Sequence, residues 1–334
     1  MIKENANCAL LGKRVVVTGS SGFIGNSLVQ RLIDCRAEVF GVDLAQSVSI
    51  NSHLRFTACN LLDSNGLKQL FTTIQPELVV HLAARTDLNG TSLKDYAPNT
   101  EGVRNLIGAV RNTRSVRRCI FTSSQLVCKA GYSPKDSEDY FPTTPYGESK
   151  VQTEKIVRAL DGGGIEWCLV RPTTVWGPGM SRHYQRFLQM VKKGRYYHVG
   201  NKSLFKHYGY VENVVYQYRK LLEATPAEIH TNTFYLADYE AISLRDWINA
   251  IQMEFNAPRV KTIPEGAATF IAKIGDLING FGFRQFPFNS FRLNNVLTEY
   301  QFDLSNTRGV CGPLPFKLAD GVSETTRWYN NLDE

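Results

Sequence analysis

The segment that most constrains the fold is a run of β-branched residues that ends in a cluster of glycines. Residues 13–18 (KRVVVT) contain three consecutive valines, which is typical of a strand buried on both faces of a parallel sheet. Gly19, Gly22 and Gly25 follow at once, and apolar residues at helical spacing come directly after them. A strand, a glycine turn and a helix in this order predict the first half of a βαβ unit.

Each glycine has its own task in a turn of this kind. Gly19 permits the tight turn, Gly22 lets a pyrophosphate approach the backbone, and Gly25 lets the helix pack on the strand. The N-terminus of the helix adds free N–H groups and the positive end of its dipole. These features together predict a binding site for a dinucleotide, whose two phosphates are anionic.

A carboxylate at the end of the next strand distinguishes NAD from NADP. Residues 38–42 (EVFGV) form the second predicted strand, and Asp43 follows it. The Asp43 carboxylate can accept hydrogen bonds from the adenosine ribose and would repel a 2′-phosphate, so NAD is favoured and NADP is less favoured. The alternative is an ordinary βαβ unit whose aspartate faces solvent.

Strands and helices continue to alternate along the chain. Further strands are predicted at residues 56–58, 78–84, 118–124, 166–170 and 233–237, and further helices at residues 180–197 and 210–222 and near Trp328. This spacing predicts an α/β fold with a doubly wound parallel sheet of the Rossmann type and a smaller C-terminal α/β domain. We expect a dinucleotide-binding domain at residues 1–176 plus 208–240, and a substrate-binding domain at residues 177–207 plus 241–334.

Composition argues against several other classes of protein. The seven cysteines include no CxxC pair, and the six histidines show no ligand spacing with them, so neither a disulfide framework nor a metal site is expected. No run of about 18 apolar residues occurs, and residues 1–12 lack a signal-peptide pattern, which predicts a cytoplasmic protein with no membrane partner. The formal charge of +7 is spread along the chain, so we expect an anionic small substrate and no nucleic acid.

A tyrosine and a lysine four residues apart are the candidate catalytic pair. Thr143 or Thr144 can cap a helix whose first residue is Pro145. Tyr146 and Lys150 then lie on one face of that helix, one turn apart. Such spacing also occurs by chance, so an exposed first helical turn is the alternative.

Hydroxyl side chains end the predicted strand at residues 118–124. The carboxyl ends of parallel strands face the ligand crevice, so Ser123 and Ser124 are expected to point at a cofactor. Formation of a simple turn is the alternative for these serines. His81, inside another predicted strand, is expected to be a core residue.

These motifs, taken as a set, carry a resemblance to a known family. They are TGSSGFIG at 18–25, Asp43, HLAA at 81–84, Asn99, Ser123 and Ser124, YGESK at 146–150, and RPTTVWGPG at 171–179. On these residues the chain resembles the extended short-chain dehydrogenase/reductase family, specifically its NAD-dependent nucleotide-sugar epimerase/dehydratase branch. The resemblance covers residues 13 to about 180 and is looser beyond them.

The resemblance implies a proton relay. Tyr146 would exchange a proton with a sugar hydroxyl or carbonyl while hydride passes to or from the nicotinamide. Lys150 would acidify Tyr146, whose ordinary pKa is about 10, and would hold the nicotinamide ribose. Ser124 would hydrogen-bond the reacting oxygen.

The resemblance also implies two sets of binding residues. Those for the cofactor are Gly19, Ser21, Gly22, Phe23, Ile24, Gly25, Asp43, Asn60, Leu61, Leu82, Ala83, Ala84, Asn99, Ser123, Tyr146, Lys150, Pro172 and Val175. Those for the substrate are Arg85, Ser124, Gln125, Thr174, Lys206 and Arg292. Asn60, Thr174 and Lys206 depart from the family pattern, which usually has Asp, Asn and Arg there. A solvated surface position is the alternative for Arg292.

The residues after Ser124 narrow the reaction that the resemblance implies. Gln125 and Leu126 stand where dehydratases of the family carry an Asp-Glu pair, so dehydration is disfavoured. The implied activity is epimerisation of a nucleotide-diphosphate sugar through a transient 4-ketone. The implied assembly is a homodimer through helices near residues 99–110 and 146–160. The alternatives are a nucleotide-sugar 4-ketoreductase or dehydrogenase, a non-catalytic NAD-sensing protein, and a nucleic-acid-binding module that rests on charge alone.

Overall fold

The computed structural model describes residues 8–46, 53–280 and 288–332. Residues 1–7, on which the prediction about a signal peptide partly rests, lie outside the described residues. The chain forms two compact units, which are described separately. The first consists of Met1–Val175, Val211–Ala237 and Asp303–Pro315, and the second of Trp176–Tyr210, Asp238–Phe302 and Phe316–Glu334.

The described residues contain thirteen strands and twelve α-helices. The strands are β1 (Arg14–Thr18), β2 (Glu38–Asp43), β3 (Leu54–Ala58), β4 (Leu78–His81), β5 (Arg118–Thr122), β6 (Glu166–Pro172), β7 (Thr174–Trp176), β8 (Tyr197–Val199), β9 (Phe205–Lys206), β10 (Tyr208–Tyr210), β11 (Thr233–Leu236), β12 (Ile242–Ser243) and β13 (Lys261–Ile263). The helices are α1 (Phe23–Asp34), α2 (Ser64–Ile74), α3 (Ala97–Arg111), α4 (Pro145–Ala159), α5 (Arg182–Lys192), α6 (Val211–Glu223), α7 (Pro226–Ile229), α8 (Leu244–Glu254), α9 (Glu265–Gly280), α10 (Ser290–Leu297), α11 (Ser305–Cys311) and α12 (Leu318–Asn330).

A seven-stranded parallel sheet forms the centre of the first unit, in the order β11-β6-β5-β4-β1-β2-β3. Strand β1 pairs with both β2 and β4, so that Val16 lies opposite Phe40 on one side and Val79 on the other. The chain order runs outward in both directions from β1 and β4. In sheets of this kind ligands bind beyond the carboxyl ends of the strands, where the order reverses. The predicted α/β class with a doubly wound parallel sheet is confirmed.

Helices cover both faces of this sheet. Helices α2, α3 and α4 pack in sequence on one face, and α1, α6 and α11 pack on the other. Val15, Val16 and Val17 of β1 are completely buried, as the continuous apolar run predicts for a strand between two helical layers. Helix α11 belongs to the first unit, whereas the sequence predicts it in the second domain; Thr307 of α11 donates a hydrogen bond to the Tyr235 carbonyl.

The second unit contains short strands that the sequence pattern does not show. Strand β8 pairs in parallel with β13, and β9 pairs antiparallel with β12. The predicted helix over residues 180–197 is wrong at its C-terminal end: α5 ends at Lys192, and Gly194 follows in the left-handed region at φ +63°. Strands of two or three residues have too few positions to show a period of two. Among the described residues, no helix combines the length and the apolar character needed to cross a membrane.

Candidate active site

The glycine turn lies between β1 and α1 and presses against the end of β4. Gly19 has φ +74°, and a Cβ atom there would lie 2.6 Å from the Ala83 backbone nitrogen. A Cβ atom on Gly25 would overlap the Gly19 carbonyl oxygen. Gly22 is the N-cap of α1, which has no side-chain cap and no acidic residue in its first turn. The turn therefore leaves the first N–H groups of α1 without a competing side chain, as an anion at this helix end requires.

Asp43, the last residue of β2, lies next to this turn. Its Oδ2 atom accepts a hydrogen bond from the Ser21 backbone N–H at 3.0 Å, and its Oδ1 atom accepts one from the Leu44 N–H at 2.7 Å. Backbone donors therefore hold the carboxylate in one position beside the glycine loop. Each carboxylate oxygen has a further lone pair for a ribose hydroxyl.

The turn after β3 contains two other residues predicted to bind the cofactor. Asn60 is exposed, and its Oδ1 atom accepts a hydrogen bond from the Leu62 N–H at 3.0 Å. The side chain of Leu61 is buried, and a Cβ atom on Gly102 of α3 would lie 2.9 Å from the Leu61 Cβ. The Leu61 side chain thus packs within the protein, and the Leu61 carbonyl accepts a hydrogen bond from the Asn105 amide at 3.0 Å.

Helix α4 brings the candidate catalytic residues together. The Thr144 hydroxyl accepts a hydrogen bond from the Gly147 N–H, so Thr144 is the N-cap and Pro145 the first helical residue. Tyr146 and Lys150 are 7% and 4% exposed, which contradicts the alternative of a solvated first turn. The Lys150 ammonium donates a hydrogen bond to the Thr122 carbonyl at 2.9 Å, at the carboxyl end of β5.

Burial and hydrogen bonding set the protonation of this group. Burial raises the pKa of Tyr146 to about 12, although its hydrogen bond with the Ser124 hydroxyl acts in the opposite direction. Burial lowers the pKa of Lys150 to about 8, and the Glu154 carboxylate acts against this. Near pH 7 the protein without ligand therefore holds a neutral tyrosine beside a mainly charged lysine. Ser124 also accepts a hydrogen bond from the Leu126 N–H at 3.1 Å, which fixes its hydroxyl.

His81 lies at the end of β4, as a core residue. It is 2% exposed, and its Nδ1 atom lies 2.8 Å from the Thr18 hydroxyl oxygen. Burial and the Lys150 charge lower the pKa of His81 to about 3. The ring is therefore neutral at neutral pH and adds no positive charge beside Lys150.

Asn99 of α3 connects the segment after β4 to helix α4. Its Oδ1 atom accepts a hydrogen bond from the Arg85 N–H at 2.8 Å, and its Nδ2 atom donates to the Arg85 carbonyl and to the Ser149 hydroxyl. Asn99 is 1% exposed. Asn99, which the resemblance assigns to the cofactor, thus uses its side-chain amide in hydrogen bonds within the protein.

The segment from Arg85 to Tyr96 forms a structured wall beside Tyr146. The Arg85 Nε atom donates to the Asp87 carboxylate at 2.8 Å, and its Nη1 atom donates to the Asp95 carbonyl at 2.9 Å. The guanidinium lies 5.2 Å from the centre of the Tyr96 ring. That ring is fully buried, with its centre 6.0 Å from the centre of the Tyr146 ring. Sequence reasoning missed Tyr96. The capping box of Ser92 and Asp95 marks the start of the short 3₁₀ helix Leu93–Tyr96, but it does not show that Tyr96 approaches Tyr146.

Several of the remaining predicted ligands lie at the ends of β5 and β6. Ser123 is 3% exposed, and its hydroxyl has no hydrogen-bond partner within the described residues. The Gln125 amide donates to the Thr174 hydroxyl at 3.3 Å. Pro172 is the last residue of β6, Val175 lies in β7, and both are buried. An unpartnered buried hydroxyl at a strand end fits a position that a ligand completes.

The structure places Lys206 and Arg292, two of the three cationic residues predicted to bind the substrate, in the second unit. Lys206 is 2% exposed; its ammonium donates to the Asn295 carbonyl at 2.5 Å and lies 4.9 Å from the centre of the Tyr300 ring. Burial lowers the pKa of Lys206 to about 8, and Glu299 acts in the other direction. Arg292 is exposed on α10, the helix that also carries Asn295.

Comparison with known proteins places this geometry in a family. The model of the NAD dependent epimerase/dehydratase family matches residues 15–236, about two thirds of the chain. The chain belongs to that family. A curated relative, the 3 beta-hydroxysteroid dehydrogenase/Delta 5-->4-isomerase of Mycobacterium tuberculosis, is 30% identical over 96% of this chain and 91% of its own length. An Escherichia coli O157:H7 N-acetyl-alpha-D-glucosaminyl-diphospho-ditrans,octacis-undecaprenol 4-epimerase is 22% identical over 95% of this chain and 96% of its own length.

Solved structures of sugar epimerases share the fold of this epimerase/dehydratase family member. A Thermotoga maritima UDP-glucose 4-epimerase, solved with UDP-glucose, has a TM-score of 0.75 at 19% identity, over 96% of this chain and all of the other. A Bacillus cereus UDP-glucuronic acid 4-epimerase, solved with NAD, has a TM-score of 0.73 at 18% identity over the same shares. The predictions of an extended short-chain dehydrogenase/reductase and of an NAD-dependent enzyme are confirmed at the level of the family.

Proposed function

We propose that this protein is an NAD-dependent epimerase of nucleotide-diphosphate sugars, which oxidises C4 to a transient ketone and reduces it from the other face. The observation that carries the proposal is the meeting of Tyr146, Lys150 and Ser124 at the carboxyl end of β5. These groups can move one proton to and from an alcohol oxygen, which hydride transfer at the same carbon requires.

The first unit contains the residues that would hold the cofactor. The glycine turn and the N-terminus of α1 would hold the pyrophosphate, and Asp43 would accept hydrogen bonds from the adenosine ribose. Lys150 would donate to the nicotinamide ribose, and Ser123 has a free hydroxyl for the same region. When bound, NAD supplies a reversible hydride acceptor.

Tyr146 must lose a proton to act as a base, so the groups around it determine how readily its phenolate forms. Burial disfavours its ionised form, whereas the Ser124 hydrogen bond favours it. A charged Lys150 one helical turn away favours the phenolate further. Entry of the substrate hydroxyl between Ser124 and Tyr146 would add one more donor to the developing negative charge. The proton then passes from the sugar oxygen to Tyr146, and it returns when the ketone is reduced.

We infer the class of substrate from the cationic residues of the second unit and from the sugar epimerases among the similar proteins. Lys206 and Arg292 would bind the diphosphate in the second unit, to which we assign substrate binding as we assign NAD binding to the first. A lysine neutralises phosphate charge but lacks the two-pronged geometry of arginine. Sugar epimerases among the similar structures and curated relatives support a sugar substrate.

We also propose a homodimer and a cytoplasmic location. The described faces of α3 and α4 expose no large apolar side chain, and the exposed residues of α3 include Glu101, Arg104 and Arg111. A dimer through these helices would therefore have a polar contact surface, and its formation would depend on salt concentration. Light scattering at low and high salt tests this assembly.

One-way oxidation or reduction is the second candidate function. The specific observation in its favour is that the relative with 30% identity over almost the whole chain is a hydroxysteroid dehydrogenase. Tyr146, Lys150 and Ser124 would perform the same proton transfer in such a reaction. Only the fate of the hydride differs, since a dehydrogenase releases the reduced cofactor.

The deciding experiment measures turnover without added cofactor. The purified protein is assayed for bound NAD and is then given UDP-, GDP- and dTDP-sugars. Interconversion of epimers without added cofactor supports the epimerase, whereas a reaction that needs added NAD or NADH and converts it stoichiometrically supports the second candidate. Tyr146→Phe should lower turnover about 10²- to 10⁴-fold while NAD stays bound. Near-normal turnover in that variant would contradict the proton relay, and Tyr197→Phe, at an exposed position of β8, is the matched control.

A further inference from the structure

A buried ion pair lies one helical turn beyond Lys150. Glu154 of α4 and Arg171 of β6 are 0% and 1% exposed. The Arg171 Nε atom donates to Glu154 Oε1 at 2.8 Å, and its Nη2 atom donates to Oε2 at 2.7 Å. Burying two charges is costly even when they are paired, and apolar residues often stabilise a core equally well. The pair therefore calls for an explanation other than stability.

The ion pair holds the segment that precedes the catalytic helix. Arg171 Nη2 also donates to the Ser137 carbonyl at 2.6 Å, and the Tyr140 hydroxyl donates to Glu154 Oε2 at 3.0 Å. Ser137 and Tyr140 belong to residues 129–144, which connect the end of β5 to the start of α4. The guanidinium is thus fixed to the helix on one side and to this connecting segment on the other.

We propose that Glu154 and Arg171 are positioning residues that set the charge environment of Lys150. Glu154 lies four residues after Lys150, on the same face of α4, so its carboxylate is near enough to attract the ammonium. Arg171 neutralises that carboxylate and leaves the Lys150 charge available to Tyr146 and to the cofactor ribose. The proposal rests on the proposed function, because it takes Lys150 to be a cofactor ligand.

The other groups around Lys150 are uncharged near neutral pH, so the charge of Glu154 is the one that affects the pKa of Lys150. On β4, His81 is neutral at every pH near neutrality, because its pKa is about 3. On β5, Thr122 presents an uncharged carbonyl, and on α4 Tyr146 is protonated below about pH 12. Glu154 itself faces Arg171 from β6, and Tyr140 from the connecting segment.

Two further neighbours of the Glu154–Arg171 ion pair add no charge near Lys150. Tyr235 on β11 has its hydroxyl 3.1 Å from Arg171 Nη1, and burial raises its pKa. Burial also raises the pKa of Cys128, and the negative charge of Glu154 acts in the same direction. Because the pKa values of both groups lie above their ordinary ranges, neither group is charged near neutral pH. Removal of either member of the ion pair therefore changes the charge near Lys150 by one.

The two single variants have opposite expected effects. In Glu154→Gln the carboxylate that raises the pKa of Lys150 is gone, while Arg171 stays charged because a guanidinium does not deprotonate. In Arg171→Met the buried carboxylate loses its partner, and as long as it remains ionised it attracts Lys150 more strongly. The first variant lowers the pKa of Lys150 and the second raises it, each by about one pH unit. The double variant Glu154→Gln/Arg171→Met returns it toward the wild-type value.

The experiment measures NADH binding against pH, by the fluorescence of NADH and without any sugar. Wild-type affinity should fall as pH rises through the pKa of Lys150, which is about 8. The midpoint should move down by about one pH unit in Glu154→Gln, up in Arg171→Met, and back in the double variant. Glu166→Gln is the control, since Arg118 and Glu166 form another arginine–glutamate pair between β5 and β6, at the opposite end of these strands, where the Arg118 Nε and Nη2 atoms both donate to Glu166 Oε2. It should lower the melting temperature and leave the midpoint unchanged.

Two outcomes would overturn the inference in distinguishable ways. If Glu154→Gln binds NADH with the wild-type midpoint and differs only in melting temperature, the pair is structural and the proposed function stands. If the wild-type protein binds no NADH at any pH, both the proposed function and this inference fail.

Discussion

The Lys150 ammonium nitrogen lies 2.9 Å from the carbonyl oxygen of Thr122, so the end of the central strand β5 holds the positive charge of this α4 residue. Lys150→Met should lower kcat/KM at least 10²-fold, because Tyr146 loses the positive charge that favours its phenolate. Residual activity should increase with pH, as Tyr146 ionises without help. Steady-state kinetics between pH 7 and 10 would measure both effects, and Lys155→Met, an exposed position on the same helix, is the control. Unchanged kinetics in Lys150→Met would contradict the relay.

Asp43 should govern the choice between NAD and NADP. Asp43→Asn keeps the shape of the side chain but removes the charge that repels a 2′-phosphate. We expect NAD to bind about tenfold more weakly, a loss of about 1.4 kcal/mol, and NADP to bind more tightly than in the wild type. Isothermal titration with each dinucleotide gives the ratio. Asp63→Asn should keep the wild-type ratio, because Asp63 caps α2 and asparagine caps a helix equally well.

Gly19 should tolerate no side chain. Gly19→Ala combines a left-handed backbone at φ +74° with a Cβ atom 2.6 Å from the Ala83 nitrogen. The free energy of unfolding should fall by at least about 2 kcal/mol, and NAD binding should be lost. Gly108→Ala, inside α3 with open space around its Cβ, should instead stabilise the protein by about 0.5 to 1 kcal/mol. Denaturant titration compares the two, and equal stability would contradict the close approach.

His81 should make the protein less stable in acid. Its pKa is about 3 in the folded protein and about 6.5 in an unfolded chain, so the unfolded chain takes up a proton first as pH falls. Stability from this residue is complete above pH 6.5 and declines toward pH 3. Between pH 7 and pH 5 the loss is about 2 kcal/mol. His81→Gln should show that much less change over the same range in denaturant titrations. Equal changes in both proteins would count against a buried neutral His81.

Local patterns explain why the nucleotide-binding part of the site could be predicted. The valine run, Gly19 and Asp43 lie within about 30 residues, and each follows from a rule about strand ends and tight turns. The cap at Thr144 is equally local, so the start of the catalytic helix could be read from the sequence. Such features depend on neighbours along the chain and not on the complete fold.

Long-range contacts decided the positions that sequence could not predict. Tyr96 and Tyr146 are 50 residues apart in the chain, and no pattern within either segment records that their rings lie next to each other. The second unit shows the same limit, since its strands of two or three residues arise from pairing between distant segments.

The hydrogen bonds of Asn99 have a consequence for ligand binding. Its amide joins the backbone of Arg85 to the hydroxyl of Ser149, so the wall of the site and the catalytic helix are already fixed to each other in the folded chain. The loss of conformational entropy needed to assemble the catalytic residues therefore occurs on folding. A ligand that enters finds a rigid arrangement, and more of its contact energy remains for affinity and for stabilising the transition state.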